Sequence, residues 1–187
     1  MILPVVAIGN PILKKVASEI DKNYPELNKL ISDMWDTMYF SKGVGLAAPQ
    51  INKSIRLIVI DATPFGEDDE RAKDFKKVLI NAKIVHEEGE EWAFNEGCLS
   101  VPEVREDVYR KPVVTIQYYD ENWQFHEETY DSVMARVIQH EYDHLEGKLF
   151  VDRLSSLRKM VLKRRLNDIS LGKVSTDYRM IFPTIKR

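Results

Sequence analysis

The sequence predicts an α+β fold, in which a mainly antiparallel sheet packs around a central helix and a further helix lies near each end. Two observations carry this prediction. Segments with the β-branched, period-two pattern of strands follow one another through the middle of the chain, without the regular alternation with helices that marks a parallel sheet. Segments with helical periodicity lie before these strands, after them and near the end of the chain.

The N-terminal helix is predicted from about residue 25 to residue 40. Apolar residues recur there at helical spacing, and Pro25 suits a first helical turn. The helix is expected to end at residues 41–43. Residues 43–50 follow with two glycines and Pro49, and this composition predicts a loop.

Strands are predicted from β-branched and aromatic residues that are bounded by turn signals. They are expected at residues 55–61, 78–86, 112–119 and 123–130. The polar, acid-rich residues 63–77 are expected to form an exposed loop. The last two strands are predicted to form a hairpin, with Asn122 taking the positive φ of its turn.

Two helices follow the strands. The first is predicted to begin after Asp131, a good N-cap residue, and to end at Gly147 as the C′ residue. The second is predicted from about residue 155 to residue 169 as an amphipathic helix. Its apolar side is expected to hold Leu157, Val161, Leu162 and Leu166.

The composition fits a single domain over residues 1–187. Of the 187 residues, 44% are hydrophobic, which is enough for one well-buried core. The formal net charge of −3 argues against a generally basic nucleic-acid-binding protein. From about residue 153 onward, however, ten Lys and Arg residues stand against two acidic residues. This region is therefore predicted to form a basic C-terminal helix and tail.

The cellular location is predicted from what the sequence lacks. There is no apolar run long enough to span a membrane and no basic, apolar leader at the start of the chain. Cys98 is the only cysteine, so an intramolecular disulfide is impossible. These features predict a cytoplasmic protein without membrane association.

Residues 140–144 match the metal-binding pattern H-E-x-x-H. On a helix, His140 and His144 lie on one face, about 5–6 Å apart at Cβ, and can share one metal ion. Glu141 points about 100° around the helix, so it can reach a water on that ion without being a ligand. This is the position of a general base. The plainer alternative is two solvated histidines on a surface helix.

The third ligand is not given by this motif. Phe150 stands where the metzincin pattern needs a histidine, and no glutamate follows Glu146 to complete a thermolysin-like site. The remaining candidates are an aspartate such as Asp152, an upstream histidine or Cys98. A lone cysteine is more often a small buried hydrophobe. Beside an incomplete metal motif, Cys98 is nevertheless the preferred candidate.

Three segments in this order resemble the motifs of the bacterial, iron-dependent peptide deformylases. They are GVGLAAPQ at residues 43–50, EGCLS at residues 96–100 and QHEYDH at residues 139–144. The resemblance covers about residues 1–165. It implies a single deformylase-like catalytic domain and a hydrolase that removes the formyl group from the N-terminal formylmethionine of nascent polypeptides, releasing formate.

The resemblance also implies the roles of individual residues. Cys98, His140 and His144 would hold one divalent metal ion, with Fe²⁺ expected and with Zn²⁺, Ni²⁺ or Co²⁺ able to replace it in purified protein. Metal-bound hydroxide would attack the formyl carbonyl, with Glu141 as the general base and acid. The resemblance further implies two oxyanion donors, the side-chain amide of Gln50 and the backbone N–H of Leu99.

Substrate-binding residues are carried over in the same way. Main-chain pairing with the substrate is expected at Val44, Gly45 and Gly97. The pocket for the methionine side chain is expected to be lined by Val44, Phe94, Val133, Arg136 and Val137. Arg136 departs from an apolar lining. Either its aliphatic stem lines the pocket while its guanidinium reaches solvent, or the side chain is simply exposed on the helix.

Two other functions use the same residues. A zinc endopeptidase would cleave internal amide bonds in unblocked peptides, and a metal-stabilised peptide-binding module would leave Glu141 without a role. The basic C-terminal helix also has two interpretations. It is either a solvated amphipathic helix or a docking element for the ribosome, where clustered Lys and Arg would add salt-sensitive affinity. The protein is expected to be a monomer.

Overall fold

The computed structural model describes residues 1–183, and over that range it confirms the α+β plan. The helices are α1 (Leu27–Phe40), α2 (Ser132–Leu145) and α3 (Ser156–Ser170). The strands are β1 (Val5–Val6), β2 (Gly45–Ala47), β3 (Leu57–Asp61), β4 (Lys76–Glu88), β5 (Trp92–Cys98), β6 (Val101–Arg110), β7 (Val113–Tyr119), β8 (Phe125–Tyr130) and β9 (Met180–Ile181).

The largest sheet is antiparallel throughout and has the strand order β2-β3-β4-β7-β8. Strands β5 and β6 form a separate antiparallel hairpin. Strands β1 and β9 form a short parallel pair, in which Val5 is opposite Met180. The prediction of a mainly antiparallel arrangement is therefore confirmed.

Strand β3 shows how the sheet separates two hydrophobic layers. All five of its residues are buried, and alternate side chains point to opposite faces. Ile58 and Ile60 pack in the layer that contains α2. Leu57 and Val59 pack in the layer that contains α1. Helix α2 is enclosed by protein on most sides, since eleven of its fourteen residues are buried, as the prediction of a central helix requires.

Several predicted boundaries differ from the structure. Helix α1 starts at Leu27, because the preceding Glu26 has a left-handed conformation with φ 53°. Part of the predicted loop at residues 43–50 is strand β2, which pairs with β3 in the sheet. The predicted loop at residues 63–77 contains two short 3₁₀ turns, and its Phe75 is buried in the core.

The predicted β7–β8 hairpin is confirmed, but the predicted position of the positive φ in its turn is wrong. The positive φ, 59°, is at Trp123 and not at Asn122. The carboxylate of Asp120 accepts hydrogen bonds from the backbone N–H groups of Asn122 and Gln124, at 2.8 and 2.9 Å. These two bonds set the course of the turn and leave the left-handed position to Trp123.

The β5–β6 hairpin was missed by the sequence analysis. Both strands are rich in charged and polar residues, so they lack the apolar alternation on which strand prediction depends. Their pairing instead joins residues such as Asn95 with Asp107 and Glu96 with Glu106. The hairpin therefore could not be predicted from the sequence and is established by the pairing of the two strands in the structure.

Helix α3 has the predicted extent but a different orientation. Leu157 and Val161, which were expected on the packed side, are 68% and 60% exposed. Arg158 pairs with Glu106 and Arg165 pairs with Glu103, both on β6, so the side of the helix that carries these arginines faces β6. The residues that face the core are Leu162, Leu166 and Ile169.

No helix within residues 1–183 has the length and apolar character needed to cross a membrane.

Candidate metal centre and substrate cleft

The two histidines of the H-E-x-x-H motif lie on one face of α2. Their ring centroids are 5.3 Å apart. Cys98, the last residue of β5, approaches them from the neighbouring hairpin, and its Sγ lies 3.4 Å from Nε2 of His144. One ligand atom from each of these three residues lies within 4.8 Å of the others. The alternative ligand Asp152 is instead bonded to Lys14 and to the backbone N–H of Leu149.

This donor set fits a divalent transition-metal ion. One thiolate and two imidazoles satisfy three positions of a tetrahedral ion and leave the fourth for water or substrate. Burial alone would raise the pKa of the Cys98 thiol, but His144 and His140 beside it lower that pKa to about 5. The thiolate, which is the form that binds metals, is therefore the stable form at neutral pH.

Glu96 orients one of the histidines. Its Oε2 lies 2.8 Å from Nδ1 of His140. A carboxylate only accepts hydrogen bonds, so Nδ1 carries the proton and Nε2 is left for a metal ion. Such a carboxylate partner fixes the tautomer and the ring orientation of a metal-binding histidine.

Glu96 is itself held in a buried ionic network. Arg110 donates two hydrogen bonds to its carboxylate, at 2.8 and 2.9 Å, and a third to Asp143 at 2.7 Å. Arg153 donates two more to Asp143, at 2.6 and 2.7 Å. Burial favours the protonated form of Glu96, yet Arg110 and His140 hold its pKa far below the usual range. The roles of Glu96, Arg110 and Asp143 could not be predicted from the sequence, since only the folded chain brings them together.

Glu141 lies beside the three candidate metal ligands, Cys98, His140 and His144, without being one of them. Its side chain is buried, and its Oε2 has no hydrogen-bond partner within residues 1–183. Burial is the main cause that raises the pKa of this carboxyl above its ordinary value. A carboxylate with a raised pKa is a better proton acceptor, and the free oxygen leaves room for a water or a substrate atom.

Gln50 reaches the same centre from the 3₁₀ turn that follows β2. Its Oε1 accepts a hydrogen bond from the N–H of Ala47 at 2.8 Å, which fixes the orientation of the amide. Its Nε2 consequently points toward the candidate metal ligands and lies 3.5 Å from Sγ of Cys98 and 3.4 Å from Oγ of Ser100. Leu99 follows Cys98 in the turn between β5 and β6.

A cleft of about 540 Å³ opens beside these residues. Most of the residues expected to bind substrate line it, namely Val44, Gly45, Phe94, Gly97, Arg136 and Val137. Val133 is outside this set. It packs in the hydrophobic core cluster that also contains Val137, so its place in the pocket wall stays a prediction.

Both predicted placements of the Arg136 guanidinium are wrong. The side chain is 1% exposed and does not reach solvent. Its Nη1 donates to Glu96 at 3.2 Å and to the carbonyl of Val108 at 2.9 Å, and its Nη2 donates to the carbonyl of Trp92 at 2.8 Å. The guanidinium also lies over the Trp92 ring, 4.7 Å from its centroid. Arg136 is held inside because buried acceptors on β5 and β6 satisfy its charge.

The family model described as polypeptide deformylase matches residues 2–160. A peptide deformylase from Christiangramia forsetii is 56% identical, with 100% of this chain and 99% of that protein covered. One from Cytophaga hutchinsonii is 50% identical, with both chains covered completely. The crystal structure of a peptide deformylase from Legionella pneumophila is 39% identical, has a TM-score of 0.79 and covers 92% of this chain and 98% of its own.

Proposed function

The chain belongs to the peptide deformylase family, and from this premise we propose that Cys98, His140 and His144 hold its metal ion and that Glu141 is its general base. The enzyme is a hydrolase that removes the formyl group from the N-terminal formylmethionine of nascent peptides. The family is metal-dependent. The observation that supports the residue assignment is the convergence of three ligand atoms within 4.8 Å of one another, beside a buried carboxylate that is not among them.

A divalent ion on this thiolate and these imidazoles would supply a Lewis acid and would lower the pKa of water toward neutrality. Glu141 accepts the proton of the attacking water and delivers it to the amine nitrogen that leaves the formyl carbon. The products are formate and a free amino terminus. Burial suits Glu141 to both steps, because its raised pKa lets it hold the proton between them.

We assign stabilisation of the developing oxyanion to the amide of Gln50 and the backbone N–H of Leu99. The bond from Ala47 to Oε1 of Gln50 keeps the Nε2 donor pointed toward the reacting centre, so it need not reorient during the reaction. A preorganised donor of this kind contributes about 3 kcal/mol to stabilisation of the transition state.

We assign substrate binding to the cleft walls. Val44, Gly45 and Gly97 pair with the main chain of the peptide, and the methionine side chain lies against Val44, Phe94 and Val137. The buried guanidinium of Arg136 closes this pocket from behind, between Glu96 and the Trp92 ring. Shape and apolar contact would then select methionine.

Fe²⁺ is the metal that we propose for the enzyme in the cell. A thiolate ligand favours softer divalent metals, and Zn²⁺, Ni²⁺ and Co²⁺ are expected to occupy the same ligands in purified protein. A ferrous site would also be open to oxidative loss at Cys98. Metal analysis of anaerobically purified protein, compared with protein purified in air, tests this assignment.

The test of the central proposal is formate release from a short N-formylmethionyl peptide, using protein prepared anaerobically with Fe²⁺. Glu141→Gln should bind metal normally while its turnover falls by about 10³-fold, because the proton acceptor is lost. Glu121→Gln, in the β7–β8 turn, is the matched control and should have the rate of the wild type.

Other outcomes would contradict the proposal. Equal turnover by Glu141→Gln would remove Glu141 from the mechanism. Absence of formate release from metal-loaded wild type would favour the peptide-binding module. Cleavage of internal bonds in unformylated peptides would instead identify a zinc endopeptidase.

We also propose that α3 docks the enzyme on the ribosome, where its substrate emerges. Arg158 and Arg165 are paired with β6, whereas Lys163 and Arg164 have no carboxylate partner within residues 1–183. These two free charges lie on a helix that also exposes Leu157, Met160 and Val161. Charge of this kind binds RNA with a strong dependence on salt.

Ribosome co-sedimentation of the full chain tests this docking. Changing Lys163 and Arg164 to Gln should weaken binding and reduce its salt dependence. Changing Lys15 and Lys22 to Gln removes the same charge from exposed positions elsewhere and should have no effect. Unchanged binding by the α3 variant would leave α3 as an ordinary surface helix.

The remaining proposal concerns location and assembly. We propose that residues 1–187 form one catalytic domain that acts as a monomer in the cytoplasm. A thiolate ligand needs a reducing compartment, and Cys98 is the only cysteine. Sedimentation velocity should show the mass of a single chain, and a dimer at micromolar concentration would contradict this.

A further inference from the structure

A segment near the C-terminus returns to the cleft after α3. We call residues 175–178 the C-terminal strap. Exposure alternates along it, with Ser175 and Asp177 exposed and Thr176 and Tyr178 partly buried. The strap is held at its far end, because β9 pairs with β1 and the carbonyl of Arg179 accepts a hydrogen bond from the N–H of Val5 at 2.8 Å.

The strap lines the cleft that also contains the candidate metal ligands Cys98 and His140. All four of its residues line that cleft, although they lie beyond residues 2–160, which the family model matches. The ammonium of Lys42, near the start of β2, lies 3.7 Å from the carboxylate of Asp177. The strap thus faces the β2 edge of the cleft, where the substrate main chain is proposed to pair.

Tyr178 connects the strap to the turn that carries Leu99. Its hydroxyl donates a hydrogen bond to the carbonyl of Leu99 at 2.8 Å. The hydroxyl of Thr176 donates to the carbonyl of Tyr178 at 2.7 Å, which fixes the backbone of the strap at this point. Burial and the nearby Cys98 raise the pKa of Tyr178, so its phenol remains a donor over the working pH range.

We propose that the C-terminal strap is a wall of the peptide-binding cleft and that Tyr178 is a positioning residue, which holds Leu99 in place through its carbonyl. The inference rests on the proposed function, since it concerns the peptide residues after formylmethionine and the N–H of Leu99 as an oxyanion donor. The methionine pocket lies in the interior between α2 and β5. The strap is partly exposed, and there it would contact the chain that leaves the pocket.

The physical reason for the role of Tyr178 is the precision that an oxyanion donor needs. Leu99 lies in a turn next to a register shift between Gly97 and Cys98, so the β5–β6 ladder does not hold it on both sides. A displacement of about 1 Å in a reacting geometry can cost about 100-fold in rate. A hydrogen bond from outside the hairpin restrains the turn that the ladder leaves less supported.

The positioning role is tested with Tyr178→Phe, which removes only the hydroxyl. We expect kcat per bound metal to fall about tenfold while KM for a formylmethionyl tripeptide changes less than twofold. Tyr109→Phe, at an exposed position of β6, is the matched control and should retain wild-type kinetics. A merely structural Tyr178 would lower the melting temperature without lowering kcat per bound metal.

A milder variant keeps this test decisive if Tyr178→Phe folds poorly. Thr176→Val removes the bond that holds the backbone carbonyl of Tyr178, and we expect kcat per bound metal to fall about threefold. Values for both variants within error of the wild type would overturn the positioning role.

The role of the C-terminal strap as a wall of the cleft is tested with two substrates of different length. We compare kcat/KM for formyl-Met-Ala-Ser with that for formylmethionine amide. Ser175→Trp should reduce the preference for the longer substrate at least fivefold, because an indole would occupy the path of the chain. Ser156→Trp, on exposed α3, should leave this preference unchanged. An unchanged preference in Ser175→Trp would overturn the wall.

Formate release by the wild type distinguishes a failure of this inference from a failure of the proposed function. If metal-loaded wild type releases no formate, the proposed function fails and the inference falls with it. If the wild type is active and the strap variants behave like it, only the inference about the strap is overturned.

Discussion

Gly45 leaves room for the side chain of Glu141 to lie against β2. A Cβ placed on Gly45 would lie 2.5 Å from Oε1 and 2.7 Å from Cγ of Glu141. The position needs no unusual backbone conformation, because Gly45 is part of β2 and pairs with Ile60. The requirement for glycine is therefore the close approach of this one side chain.

We predict that Gly45→Ala lowers kcat at least tenfold, because Glu141 must move away from the reacting centre. Gly45 contributes no metal ligand, so metal content should stay at the level of the wild type. Steady-state kinetics with metal analysis measures both quantities. A variant with full activity would show that Glu141 tolerates displacement.

Asp143 supports the same helix through the buried network. Burial alone would raise the pKa of its carboxyl, but Arg153 and Arg110 hold that pKa below the ordinary value of 3.8. A depressed native pKa stabilises the fold fully above the unfolded value, and this stabilisation is lost as the pH falls through the native value.

We predict that Asp143→Asn lowers the free energy of unfolding by about 3 kcal/mol at pH 7, because Arg110 loses a buried partner. The wild type should lose stability as the pH falls below about 4, and the variant should lose less over the same range. Urea unfolding at several pH values measures this. Parallel pH profiles for the two proteins would contradict the role of Asp143.

At the scale of elements, the proposed metal site depends on how α2 and the β5–β6 hairpin meet. Helix α2 carries His140, Glu141 and His144, and its end is set by Gly147 at φ 68°. The hairpin supplies Cys98 and Glu96. Spacing within α2 was readable from sequence, because residues four apart share a helix face. The hairpin could not be predicted from the sequence, because its strands lack a regular apolar pattern and are stabilised by strand pairing and ion pairs.

We predict that Gly147→Ala destabilises the protein by about 3 kcal/mol, which corresponds to a fall in melting temperature of about 6–12 °C. A Cβ there would add a clash, 2.7 Å from the carbonyl of Lys14, to the cost of a positive φ. Gly172→Ala is the matched control, since its φ is also positive, at 77°, but its nearest neighbour lies 3.5 Å away. Calorimetry should show the smaller loss for Gly172→Ala, and equal losses would contradict the clash.

At the scale of the whole molecule, the proposed metal ion connects parts that are far apart in sequence. It would join the end of β5 to α2, and α2 lies in the core against the main sheet. An ion that binds only the folded chain stabilises it by mass action.

We predict that removing the metal with a chelator lowers the free energy of unfolding by about 3 kcal/mol when the metal was present at about 100 times its Kd. The melting temperature should fall by about 6–12 °C and recover when the metal is restored. Differential scanning calorimetry at fixed pH measures this shift. Cys98→Ser is expected to show a smaller shift, and an unchanged melting temperature in chelated wild type would contradict the prediction.

The sequence by itself determined the fold class, the order of most elements and the central helix with its two histidines. These depend on local periodicity, which neighbouring residues set. The tertiary structure decided the rest: the hairpin that brings Cys98 to the histidines, the burial of Arg136 against Glu96, and the contact of Tyr178 with Leu99. Each of these joins residues more than 30 positions apart, and a contact at that separation depends on the packing of whole elements, which no local pattern records.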